Sequence, residues 1–113
     1  MVGHYVPQAG DIVWLDFDPQ AGREQAKRRP ALVISDGSYN RASGLAAVCP
    51  LTSRRKNYPF ALPVTVGEIE GAVLVDQLKS LDWAARRAAF HSKAPPGLLS
   101  QVRVYLGVLL GIR

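Results

Sequence analysis

Short apolar runs alternate along the chain with turns rich in Gly, Pro, Asn and Asp, a pattern that predicts a small, mostly β barrel. Strands are expected near 11–17, 30–35, 45–51, 60–66, 72–78 and 86–91. In the first run Ile12, Trp14 and Asp16 share one face, and Val13, Leu15 and Phe17 take the other. That run ends at Asp18-Pro19, a turn signal. The next is apolar from Pro30 to Ile34, as suits a strand buried on both faces. Residues 36–44 hold too many turn formers for a strand and suit one short helical turn closed by Gly44. The C-terminus changes period. After Pro95-Pro96, which suit a helix's first turn, Leu98, Leu99, Val102, Tyr105, Leu106, Leu109 and Leu110 recur at helical spacing. That stripe is expected to pack on the barrel, with Val104 and Val108 widening it toward a partner subunit. With no repeat, linker or low-complexity tract, residues 1–113 read as one domain.

Charge changes the picture through its placement. Fourteen basic against nine acidic residues give +5, which suggests an anionic partner without requiring one. Seven of the fourteen cations, however, lie in two short loops: Arg23, Lys27, Arg28 and Arg29 in one, and Arg54, Arg55 and Lys56 in the other. Loops anchored by core strands hold charge rigidly against a polyanion. Cys49, the single cysteine, excludes an internal disulfide and sits in an apolar run, so it reads as a buried core residue. Polar residues interrupt any signal-peptide core near the N-terminus, and the longest apolar stretch, Tyr105–Ile112, cannot span a bilayer. The expectation is a cytoplasmic protein that does not engage a membrane.

Several motifs carry a resemblance. The Trp14-Leu-Asp-Phe-Asp-Pro19 run, the Gly22-Arg-Glu-Gln loop and Arg29-Pro-Ala-Leu-Val-Ile-Ser35 are similar to the MazF/PemK family of toxins. The likeness continues through Pro50-Leu-Thr52, Lys56-Asn-Tyr-Pro-Phe60 and Asp76-Gln-Leu-Lys-Ser80, in order and over nearly the whole chain. The resemblance implies an SH3-like β-barrel of the PemK/CcdB type with short helices and a C-terminal helix, assembled as a homodimer. It also implies a sequence-specific endoribonuclease, or mRNA interferase, opposed by a cognate acidic, MazE-like antitoxin on a separate chain.

RNA can be cut without metal when the ribose 2′-hydroxyl attacks the adjacent phosphate, leaving a 2′,3′-cyclic phosphate and a 5′-hydroxyl. That route needs a base, an acid and fixed positive charge. The resemblance assigns the catalytic pair to Arg29 and Thr52. A free guanidinium is too basic to accept a proton near neutrality, so Arg29 suits bidentate phosphate binding and charge stabilisation. Thr52 can donate to a non-bridging oxygen, and Glu24 is the nearby group able to accept a proton. The plain alternatives are a solvated cation, a turn-capping hydroxyl and a salt-bridge partner. Lys27, Arg28, Arg54, Arg55 and Lys56 are expected to contact the RNA backbone. Phe17 offers either a stacking face or core packing, Gln77 a base-edge amide that Asp76 orients, and Asp16 a further RNA contact on the same strand. Trp14 and Trp83 read as core or dimer-interface residues, and Arg86-Arg87 as a solvated strand start. His4 and His91 fall on no family motif. Two separated histidines and one cysteine make a poor transition-metal set, and no metal or cofactor is expected. Two rivals remain: a gyrase-poisoning toxin of the same fold, and a non-catalytic RNA-binding or autorepressor module.

Overall fold

The computed structural model describes residues 5–18, 27–54 and 57–112. It contains strands β1 (Asp11–Asp18), β2 (Lys27–Val33), β3 (Leu45–Thr52), β4 (Ala61–Val66), β5 (Ile69–Leu74), β6 (Lys79–Asp82) and β7 (Ala89–Lys93). A short helix α1 (Gly37–Ser43) joins β2 to β3, and α2 (Leu98–Leu110) ends the chain. The strands form one antiparallel sheet in the order β4-β5-β3-β2-β1-β7, with β6 also bonded to β3. β3 is the hub. β2 runs along one edge, while β6 covers Leu45–Val48 and β5 covers Leu51–Thr52. The sheet therefore curls into a half-barrel, as the mostly β reading expects.

The alternation along β1 is real. Ile12 faces a core shared with Leu32, Leu51, Val73 and the α2 residues Leu98, Val102 and Leu106. Val13, Leu15 and Phe17 face a second core with Ala31, Val33, Val48 and Leu81. Each large apolar side chain so buried contributes roughly 1.5–3 kcal/mol, so the two cores fix β1, β2 and β3 from both sides. Cys49 lies fully inside the first core, and burial pushes its thiol up to about 12. It is an inert packing residue.

The local signals at α1 hold. The Asp36 carboxylate accepts from the Ser38 backbone N–H at 3.0 Å, and Gly44 closes the helix at φ 77°. Elsewhere the chain departs from the sequence pattern. The strand expected over 72–78 breaks at a 3₁₀ turn, Val75–Gln77, and a strand not expected, β6, follows. The apolar run is continuous there because Val75 is buried, yet the chain must bend to move from one half of β3 to the other. The strand expected from residue 86 begins at Ala89, because Arg87 adopts φ 56° in a turn. Pro95-Pro96 precede α2 rather than start it, since Gly97 at φ 85° is the cap. The outer end of the predicted stripe is also open: Leu109 and Leu110 are exposed, as are Val104 and Val108.

Candidate active site

Neighbouring strands bring the two central side chains together. β2 and β3 pair Ala31 with Pro50, Leu32 with Cys49 and Val33 with Val48. Beyond the last of these pairs, Arg29 on β2 and Thr52 on β3 lie toward the same end of the two strands. Both line one concavity of about 550 Å³, with Trp14, Ser53, Arg54, Glu68 and Glu70 among its other walls. The Arg29 Nη2 donates to the Leu51 carbonyl at 3.3 Å, a long bond that fixes the guanidinium while leaving other N–H groups for a ligand. Its Cζ stands 5.7 Å from the centre of the Phe17 ring, and the Lys79 Nζ stands 5.7 Å from the same ring.

Thr52 is set by its neighbours. Its Oγ1 accepts from the Arg54 backbone N–H at 3.2 Å, which occupies a lone pair and leaves the hydroxyl hydrogen to donate. β5 crosses very close behind it. A Cβ at Gly71 would fall 1.8 Å from the Thr52 carbonyl oxygen and 3.0 Å from the Ser53 Cα. Only glycine lets β5 pass there without displacing the end of β3. Sequence reasoning did not single out Gly71, although a glycine inside an apolar strand run is the signal for such a crossing.

The other expected residues divide. Phe17 is the unpaired extra residue of a β-bulge between Asp16 and Asp18, and it is mostly buried in the second core with two cations beside its ring. Arg54 lines the same concavity as Arg29 and Thr52. Asp16 and Arg28 do not present free groups. Arg28 Nη1 donates to Asp16 Oδ1 at 3.0 Å, and Arg87 Nε and Nη2 donate to Asp16 Oδ2 and Oδ1 at 2.6 and 3.1 Å. The Arg87 bonds, and then that of Arg28, hold the Asp16 carboxyl below the usual carboxylate range against the opposing effect of burial. The second nitrogen of Arg28 donates to the Arg87 carbonyl at 2.6 Å. Arg86 donates to the Asp16 and Phe17 carbonyls at 3.1 and 2.7 Å. The Arg86-Arg87 pair is thus a clamp on the end of β1 rather than a solvated strand start.

Gln77 sits in a different concavity with Asn57, Tyr58 and Asp76. Asp76 accepts from the Tyr58 hydroxyl instead of orienting Gln77, and that bond raises the Tyr58 pKa. Trp83 behaves as a core residue, donating from Nε1 to the Asn40 carbonyl at 2.9 Å. Trp14 does not, since it lines the cleft and meets the His91 ring edge-on. Glu24, Arg55, Lys56 and His4 lie outside the described residues, as does the side chain of Lys27. Among the described residues, no three His, Cys, Asp or Glu side chains gather where they could hold a metal ion.

These features define a class: a small curled β-sheet protein with an open cleft lined by a guanidinium, an oriented hydroxyl and two carboxylates. The chain belongs to the PemK-like, MazF-like toxins of type II toxin–antitoxin systems, whose family pattern it matches over residues 8–110. It is 41% identical over 111 residues to the endoribonuclease toxin MazF of Escherichia coli K12, covering 98% of this chain and 100% of that one. It is 38% identical to the endoribonuclease toxin ChpB of the same strain, covering 72% and 74% of the two chains. Its fold superposes at a TM-score of 0.90 on MazF in a MazE–MazF crystal structure from Deinococcus radiodurans, at 50% identity and covering 97% and 100% of the chains.

Proposed function

We propose that this protein is an endoribonuclease toxin that cuts single-stranded RNA at a short sequence by metal-independent transesterification. The observation that supports the reading is that Arg29 and Thr52 line one open cleft. The 2′-oxygen attacks phosphorus while Glu24 takes its proton. Arg29 neutralises charge on the pentavalent phosphate, and Thr52 donates to a non-bridging oxygen. The phosphorus–5′-oxygen bond then breaks, and the departing oxygen, hydrogen-bonded by the guanidinium, takes a proton from water. Lys27, Arg54, Arg55 and Lys56 hold the flanking backbone and Gln77 serves a base edge, while Phe17 takes the core-packing role beneath Arg29. Asp16 and Arg28 act behind these groups as a brace for β1 and β2.

The partner reading follows from chemistry and from the relatives. A cationic cleft that binds RNA also accepts an acidic, disordered antitoxin tail that folds as it binds. The working form is a homodimer acting in the cytoplasm; no helix among the described residues is long and apolar enough to cross a membrane. The relatives' endoribonuclease names do not favour the gyrase-poison reading. Single-stranded RNA incubated with the protein in EDTA is expected to yield fragments with 5′-hydroxyl and 2′,3′-cyclic phosphate ends. Intact RNA together with gyrase inhibition would replace this reading with the poison, and RNA binding with neither effect would replace it with the non-catalytic module.

A further inference from the structure

The cleft that holds Arg29 and Thr52 has two chemically unlike walls. Arg29 and Arg54 make one cationic, while Glu68 and Glu70, beside the β4–β5 turn, make the other anionic. A phosphate is drawn to the first and repelled by the second. What rests against the second wall must be uncharged and rich in hydrogen-bond donors. Trp14, a partly exposed indole, lines the same cleft. It is held edge-on by the His91 ring, with centroids 6.0 Å apart at 74°.

His91 also ties down the acidic wall. Its Nδ1 lies 2.7 Å from the Ser92 Oγ, and its Nε2 lies 3.3 Å from both Glu68 carboxylate oxygens. The turn lies over the same imidazole: a Cβ at Gly67, where φ is 59°, would fall 3.5 Å from the His91 Cε1. Glu68's own backbone N–H, and then the His91 ring, hold its carboxyl below the usual carboxylate range. It is therefore ionised at neutral pH, and its side chain remains 74% exposed, with lone pairs open to the cleft.

The geometry points to a nucleobase subsite on this side of the cleft, in which the base rests against Trp14 and offers an exocyclic amine to the Glu68 carboxylate. A carboxylate accepts from the amines of cytosine, adenine and guanine. Uracil has no exocyclic amine, and its single N3–H donor is flanked by two carbonyl oxygens that a carboxylate repels, so the wall selects against it. The concavity, at about 550 Å³, falls within the range of ligand sites. This inference rests on the RNA-cutting reading, and its test separates the two.

Binding is read first, by fluorescence anisotropy, on labelled 2′-fluoro hexamers of A, C, G and U that have no 2′-hydroxyl to react. The wild-type protein is expected to bind the U hexamer about tenfold more weakly than the strongest of the other three. Glu68→Ala, a change at an exposed side chain that leaves the fold intact, is expected to bring that contrast below twofold, and Glu68→Gln to fall between. An unchanged contrast in Glu68→Ala, or no contrast in the wild type, overturns the subsite. Cleavage of all-ribose RNA is scored separately. A contrast that depends on Glu68 with no cleavage strikes the nuclease reading and keeps the subsite. Cleavage whose site preference ignores Glu68 keeps the nuclease and removes the subsite.

Discussion

Arg28 and Arg29 are consecutive residues on β2, and the fold uses them in opposite ways. Arg28 pairs across β1 with Asp16, and both of its terminal nitrogens are engaged inside the protein. Arg29 points to the other face, where it makes one long bond to the Leu51 carbonyl and lines an open cleft. Strand alternation alone separates them. A guanidinium satisfied by a carboxylate braces the fold, whereas one left with spare donors in an open cleft is free to take a ligand. A count of basic residues cannot tell the two apart.

The comparison is broken most severely at Arg29. Arg29→Ala is expected to lose more than about 10²-fold in kcat/KM for RNA cleavage while its thermal unfolding stays close to wild type. Activity near wild type would place the phosphate elsewhere. Gly71→Ala comes next. It should lower kcat by about tenfold or more with little change in KM, because the new methyl displaces the Thr52 backbone but leaves the cationic wall in place. Equal losses in both parameters would show general disruption instead.

The brace is the converse case. Asp16→Asn is expected to cost on the order of 1–3 kcal/mol of stability at pH 7 by chemical denaturation, with activity falling less than in Arg29→Ala. Its pH dependence has a fixed sign. The Asp16 carboxyl titrates below its usual 3.8 in the folded protein, so its contribution is complete above that value. It is lost as pH falls through the lower folded value. The stability gap between Asp16→Asn and wild type should therefore close below about pH 4, and a gap that persisted would assign the loss to packing. The smallest effect belongs to Arg87→Ala. Its side chain is 70% exposed and Arg28 still holds the carboxylate, so a loss of about 1 kcal/mol or less is expected from the melting temperature.

Much of this arrangement was legible in the residues. The alternation from Ile12 to Phe17 gave β1 two faces that pack on two cores, and Gly44 marked the end of α1, while the Asp36 cap at its start was not read. The motif resemblance carried Arg29 and Thr52 to one cleft. The break at Val75–Gln77 was hidden, because buried apolar residues continue through a bend that only the sharing of β3 requires. The Asp16–Arg87 bonds were hidden too, since those partners are 71 positions apart and no local pattern links them. Of the two readings of Trp14, core packing does not hold, because its register opposite Pro30 at the cleft leaves the indole partly open.

The triple pairing of β3 also has a kinetic consequence. A strand bonded to β2 along one edge and to β5 and β6 along the other exposes only the amides of the edge that opens, so exchange of its backbone hydrogens with solvent should be among the slowest in the molecule. Thr52 ends that strand, and Arg29 donates to the carbonyl just before it. Fraying at the outer strands β4 and β7 would then loosen the Trp14 and Glu68 side of the cleft while leaving the Arg29–Leu51 contact in place.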